Sequence, residues 1–162
     1  MEKLKRAEAL LVTAETALLV VLLSTMVGLS FLQVILRAFG TGILWADPLS
    51  RHLVLWVGFL GAALAAAEGK HFAWEAAAER ADRTGQWMRL GASLATLVLT
   101  SFLLRASWAY LLSEKADAQV LFSIGSLAFP EWVFVAAVPL GFGLVLLHSG
   151  ARLAEAAARL RG

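Results

Sequence analysis

The chain has 162 residues, of which 60% are hydrophobic and only 16% are charged, and its mean hydropathy is +0.75. This composition excludes an ordinary soluble domain and indicates a membrane protein. The net charge of +2 gives no reason to expect nucleic acid as a partner, and the lack of cysteine excludes disulfides, thiolate metal sites and a thiol nucleophile.

Four stretches of the sequence are long and apolar enough to cross a membrane as helices. A helix needs about 20 apolar residues to cross the roughly 30 Å hydrocarbon layer, and a backbone in lipid must satisfy its own hydrogen bonds. The four stretches are residues 12–36, 49–67, 90–112 and 130–151. Because the connections between them are short, we expect one all-α membrane domain over residues 1–162, with four transmembrane helices.

The basic residues predict the orientation of these helices, because Lys and Arg accumulate on the cytoplasmic side. Ten of the fourteen basic residues fall on one side: Lys3, Lys5, Arg6, Lys70, Arg80, Arg83, Arg89, Arg152, Arg159 and Arg161. Both termini and the loop between the second and third spans are therefore expected in the cytoplasm. Within that loop, residues 74–87 are rich in Ala, Glu and Arg, which predicts a short amphipathic cytoplasmic helix.

Local chemistry predicts two helix starts on the outer face. Asp47 before Pro48 is typical of a helix start, because the carboxylate can accept from free amides of the first turn and proline has no amide to leave unsatisfied. Pro130 and Glu131 repeat this arrangement, with the carboxylate near the positive end of the helix dipole. Arg51 follows Asp47 by one turn, and we expect these two side chains to pair at the water boundary.

Small residues indicate where helices can approach closely. Gly58 and Ala62 are four residues apart on the second span, with Gly61 on the adjoining row, so they form a smooth helical face. Gly141 offers a similar notch on the fourth span, where Pro139 should also kink the helix. Packing within this chain and contact with a partner both remain open for these faces.

Ionisable side chains inside the spans are the remaining candidates for chemistry, since charge in lipid is costly. Glu15 lies about one turn into the first span and Arg105 two turns from the outer end of the third. A structural role is favoured for both, although Glu15 leaves open an autonomous proton-coupled exporter. His52, His71 and His148 raise the alternative of a membrane haem or quinone protein, but no two of them have the spacing of ligands on one helix.

No hydrolase, protease or phosphate-binding motif occurs in the sequence. The residues therefore predict no catalytic group, no metal and no cofactor.

A pattern distributed over most of the chain resembles a known family. It consists of Arg37, Phe39, Trp45, Asp47, Arg51, Trp56 and residues 59–63, 68–71, 129–132 and 139–142. The pattern resembles the small membrane subunit, DctQ-like, of tripartite ATP-independent periplasmic (TRAP) transporters. It departs from the family at Pro48, where a second acidic residue usually follows the first.

The resemblance implies a non-enzymatic scaffold in the cytoplasmic membrane of a bacterium or archaeon. Its stable partner would be a much larger permease subunit, which holds the sodium and substrate sites and carries them across the bilayer by an elevator-like motion. A periplasmic solute-binding protein would deliver an organic acid or related solute. Candidates for subunit contacts are Trp45, Asp47, Arg51, Trp56, Gly58, Gly61, Ala62 and His71. Candidates for binding a membrane lipid headgroup are Arg37 and Arg51.

Overall fold

The computed structural model describes residues 2–68 and 83–159 of the chain. These residues form the helices α1 (Glu2–Ala38), α2 (Ala46–Glu68), α3 (Arg83–Asp117), α4 (Glu131–Val135) and α5 (Ala137–Arg159), and the strands β1 (Val120–Ile124) and β2 (Leu127–Pro130). Four segments are long and apolar enough to span a membrane: Glu8–Ala38, Ala46–Glu68, Gly91–Asp117 and Glu131–Ala151. The four predicted spans are therefore confirmed, with their ends shifted by a few residues.

The long helices pack on one another in the order α1, α2, α5, α3, and the short helix α4 contacts both α2 and α3. Within the described residues, α1 and α3 thus lie at the two edges of the bundle. Both expose large apolar side chains, among them Val21 and Phe31 on α1 and Val98 and Phe102 on α3. Such continuous apolar faces are suited to contact with lipid or with another membrane helix.

Small residues make up the centre of the bundle. Ala63 and Ala66 on α2 form a buried cluster with Val145 on α5. At Gly141 the two helices approach so closely that a Cβ atom would overlap the side chain of Phe59. Small residues permit this approach, which maximises van der Waals contact where lipid supplies no hydrophobic driving force. The close approach predicted at Gly141 is therefore confirmed, and it lies within this chain.

The helix of the fourth span has an irregularity of one residue near its start. Ala136 separates α4 from α5 and adopts a turn, while its amide still donates to the Trp132 carbonyl (3.1 Å). Pro139 has no amide to donate to the carbonyl of Val135, and its ring crowds that carbonyl. The irregularity at Ala136 accompanies the missing Pro139 amide, while the kink at Pro139 stays a prediction.

The connection between α3 and α4 contains a β-hairpin, which corrects the all-α prediction. The two strands pair antiparallel, with Phe122 opposite Phe129, and Gly125 in the turn has a φ of +61° that suits glycine. The helix α3 also runs to Asp117, past the predicted end at residue 112. The hairpin was not predicted from the sequence because its apolar strands are short and lie beside a polar segment.

Part of the second loop lies outside the described residues. The predicted amphipathic helix over residues 74–87 falls mostly within residues 69–82, which are not described, and residues 83–87 belong to the start of α3. His71 also lies outside the described residues.

Candidate functional site

A polar network joins α1 to α2 at the end of the bundle that carries the β-hairpin, which we call the hairpin end. Asp47 accepts hydrogen bonds from Gln33 Nε2 (2.9 Å) and from Arg37 Nη2 (2.6 Å). Gln33 also bonds both backbone groups of Ile43, donating to the carbonyl (3.3 Å) and accepting from the amide (3.2 Å). The amide side chain of Gln33 thus fixes the α1–α2 connection to both helices.

Asp47 has a different role from the one predicted. The helix α2 begins at Ala46, so Asp47 lies inside the first turn, and its carboxylate binds donors from α1 instead of capping amides of α2. Within residues 2–68 and 83–159 it forms an ion pair with Arg37 and not with Arg51, which is exposed. The predicted Asp47–Arg51 pair is wrong because Gln33 and Arg37, one turn apart on α1, present their donors to the two carboxylate oxygens.

Aromatic side chains hold the β-hairpin against the helices. Phe122 on β1 stacks with Trp45 at 6.0 Å between ring centroids and with Phe129 at 4.8 Å. It also lies 5.8 Å from Phe134 on α4. Trp45, a predicted contact residue, is thereby part of the internal packing at the hairpin end.

His52 extends this contact from α2 to α4. Its Nδ1 lies 3.0 Å from the carbonyl oxygen of Pro48, and its Nε2 lies 3.5 Å from Glu131 Oε1. The imidazole ring also meets the ring of Phe134 edge to face at 5.9 Å. The first turn of the fourth span is therefore attached to α2 by both polar and aromatic contacts.

A second polar site lies toward the opposite end of the bundle and is almost completely buried. His148 on α5 has no exposed surface, and Glu15 on α1 is 4% exposed. The Nε2 atom of His148 lies 3.1 Å and 3.3 Å from the two carboxylate oxygens of Glu15. Glu8 approaches the other ring nitrogen, with its Oε1 3.8 Å from Nδ1.

The pair of Glu15 and His148 was not predicted from the sequence. They are 133 residues apart, so no local spacing connects them. Their similar depth in the bundle could have indicated the pair. The helices α1 and α5 run in opposite directions, and Glu15 is about as far from the start of α1 as His148 is from the end of α5.

Most of the chain matches a known protein family. The family described as tripartite ATP-independent periplasmic transporters, DctQ component, matches residues 26–159. The match begins in the second half of α1 and includes the polar network, the hairpin and every later span. The chain belongs to the DctQ family. The resemblance identified in the sequence pattern is therefore confirmed, and with four apolar helices this DctQ-family chain is a multi-pass membrane component of a TRAP transporter. No curated protein matches the chain.

The predicted small-residue face of this DctQ-family chain divides into two parts. Gly61 faces α1, where an added Cβ would lie 3.9 Å from Leu19 Cδ1. Gly58 has nothing within 4 Å of an added Cβ, and Ala62 is exposed. Trp56 is half-buried. Gly61 therefore packs inside the chain, whereas Gly58 and Ala62 form a row that is directed outward.

The two described histidines lie toward opposite ends of the bundle. His52 contacts Glu131 at the hairpin end and His148 contacts Glu15 toward the other end. Among residues 2–68 and 83–159, no group of three or more His, Cys, Asp or Glu side chains could hold a metal ion.

Proposed function

We propose that this chain is the fixed scaffold subunit of a TRAP-type secondary transporter and performs no catalysis of its own. It binds a larger permease subunit, which carries the sodium and substrate sites through the bilayer by an elevator-like motion. A periplasmic binding protein delivers the solute to that subunit. The observation that carries this proposal is the DctQ family match over residues 26–159.

The internal contacts support a rigid role. The bundle is connected near one end by the Asp47 network, near the other by the Glu15–His148 pair, and between them by the close approach of Gly141 to Phe59. A scaffold must keep its shape while a neighbouring subunit moves. Contacts at three depths, each between different helices or helix faces, meet that requirement.

The basic residues support an orientation of the chain in the membrane. With ten of the fourteen basic residues at one side, both termini lie in the cytoplasm and the β-hairpin faces the periplasm of a bacterial or archaeal inner membrane. The hairpin and the polar network then lie on the side where a periplasmic binding protein docks. The whole chain acts as one membrane domain.

The outward row of α2 is the proposed contact for the permease subunit. It contains Arg51, Gly58 and Ala62, which are exposed in this chain. Small side chains let a helix of the partner approach closely, and the guanidinium supplies a donor at the edge of that contact. Because Arg37 already donates to Asp47, Arg51 is also the better candidate of the two for a lipid headgroup.

Co-purification tests this assignment. The chain is co-expressed with its large permease subunit, extracted in mild detergent and isolated through a tag on the small chain. Gly58→Leu should release most of the permease, since the added side chain separates the two helices. Gly28→Leu is the matched control, because Gly28 on α1 is also open on every side within this chain.

Two results would contradict the proposal at different levels. Equal retention of the permease by both variants would remove the outward row of α2 as the contact. A wild-type chain that never retains the permease, or that alone gives saturable solute uptake in reconstituted vesicles, would refute the scaffold role itself.

The buried Glu15–His148 pair favours one alternative, an autonomous proton-coupled exporter, because buried ionisable groups are typical of proton pathways. Vesicles containing the chain alone test it. The scaffold proposal expects no proton-driven transport from wild type or from Glu15→Gln, whereas the exporter requires transport by wild type and its loss in the variant.

A further inference from the structure

A groove of about 460 Å³ lies between α3 and α5, lined by Ser101, Leu104, Arg105, Trp108 and Leu146. Its volume falls in the range of roughly 300–1,000 Å³ that is typical of small-molecule sites, which are mostly apolar with a few polar groups. The only charged group in this lining is the guanidinium of Arg105. The groove therefore combines an apolar surface with a single cation.

Arg105 has no counter-ion within the described part of the chain. It is exposed, and no hydrogen bond or ion pair joins its side chain to any other residue of 2–68 and 83–159. It nevertheless lies inside the apolar span Gly91–Asp117. A cation within a membrane span is costly unless an anionic or strongly polar group meets it. An anionic or strongly polar group from outside the described residues would therefore stabilise Arg105.

The side chain of Arg105 can extend toward the lipid headgroups. Trp108 lies one turn farther toward the hairpin end, about 5 Å along the helix axis, and is exposed to the surroundings. Exposed tryptophans are enriched at the headgroup level of a membrane. The flexible stem of an arginine reaches over about that distance, so its guanidinium can rise to the headgroups while its carbons stay in the apolar layer.

We propose that this groove binds a membrane phospholipid, with the phosphate on the Arg105 guanidinium and one acyl chain along Leu104 and Leu146. A planar guanidinium forms two parallel hydrogen bonds with a phosphate. A carboxylate from a neighbouring subunit could meet the charge, but it would leave the apolar groove beside it unexplained. A phospholipid accounts for both parts of the lining. The site goes beyond the scaffold role and depends only on the chain being in a membrane.

Native mass spectrometry of the purified full chain tests the site, with and without the permease subunit. The probes are phosphatidylglycerol and a diacylglycerol with the same acyl chains, which lacks the phosphate. Wild type should retain phosphatidylglycerol in preference to diacylglycerol. Arg105→Gln should weaken phosphatidylglycerol binding roughly tenfold or more, since it removes a charge-assisted hydrogen-bond pair.

Two further variants separate the parts of the site. Leu146→Trp fills the groove but keeps the guanidinium, and it should reduce binding of both lipids. Lys115→Gln is the matched control, because it removes a cation from the same helix outside the groove. The Lys115 ammonium lies 5.4 Å from the centroid of the Trp132 ring. This control should bind phosphatidylglycerol as wild type does.

The proposal is overturned if Arg105→Gln retains phosphatidylglycerol as well as wild type, or if wild type binds the two lipids equally. Unchanged lipid binding together with release of the permease by Arg105→Gln would identify the anion as a group of that subunit. Failure of the scaffold role is recognised separately, because wild type would then not retain the permease whatever its lipid binding.

Discussion

At the hairpin end, the Asp47 carboxylate accepts hydrogen bonds from Gln33 and Arg37. The side chains of Asp47 and Arg37 are 55% and 62% exposed. Toward the opposite end, Glu15 meets His148 with almost no exposed surface on either residue. Both sites join α1 to another helix through a carboxylate and a nitrogen donor. They differ in how much of their surface is exposed.

This difference in exposure predicts different contributions to stability. Water screens an exposed ion pair, so such pairs contribute about 0–1 kcal/mol. A buried pair also gains little over an apolar pair, but removal of one partner leaves an unsatisfied group and costs about 3–5 kcal/mol. We therefore expect single substitutions to act strongly at Glu15 and His148 and weakly at Arg37.

The largest effect is expected from His148→Leu. This change leaves the Glu15 carboxylate buried without its partner and should lower the free energy of unfolding by about 3 kcal/mol. Thermal unfolding in detergent, followed by circular dichroism, measures it. The double variant Glu15→Leu, His148→Leu should recover much of the loss because it leaves neither partner of the pair unsatisfied. If the single variant melts with wild type, the pair does not stabilise the bundle.

The second largest effect on the free energy of unfolding is expected at the contact between Gly141 and Phe59. Gly141→Ala places a methyl group against Phe59 and should cost about 2 kcal/mol through overpacking. Gly143→Ala is the control two residues away, where nothing lies within 4 Å of the added atom, and it should be neutral or slightly stabilising. The same unfolding assay applies. Equal melting of the two variants would contradict the close approach of α2 and α5.

A smaller effect is expected from Gln33→Leu, which tests whether burial also matters at the hairpin end. Gln33 is 7% exposed, and its loss removes the acceptor of the Ile43 amide, at a cost of about 1–2 kcal/mol. Hydrogen exchange at the Ile43 amide should accelerate. Arg37→Leu should leave that exchange unchanged. Acceleration in both variants would mean that the ion pair, and not Gln33, holds the connection.

The smallest effect is expected from Arg51→Gln. Arg51 is exposed and forms no ion pair within the described residues, so its loss should change the free energy of unfolding by no more than about 0.5 kcal/mol. Comparison with Arg37→Gln then isolates the contribution of the Asp47 ion pair. Greater destabilisation by Arg51→Gln than by Arg37→Gln would reverse the assignment of partners to Asp47.

The sequence predicted the spans well because their signal is local and strong. About 20 apolar residues in a row have few other solutions in a membrane, and Pro139 disrupts a helix wherever it lies inside one. Gly141 was also predicted, since a small residue inside an apolar span has few other uses.

The pairing of side chains was not predictable in the same way. Asp47 was assigned to Arg51 because both lie on one helix, whereas its actual donors come from α1 across the connecting loop. The Glu15–His148 pair depends on the relative depth of two helices at opposite ends of the chain. Local spacing carries no information about either arrangement.

The separation of Glu15 from His148 has a consequence for biogenesis. Glu15 belongs to the earliest of the four spans to be synthesised and His148 to the latest, 133 residues later. At roughly 5–20 residues per second, a ribosome needs on the order of ten seconds to cover that distance. During this interval the carboxylate lacks the His148 imidazole, and α1 must keep it near water or beside another polar group. Completion of the pair therefore marks the moment when the last helix has inserted at the correct depth.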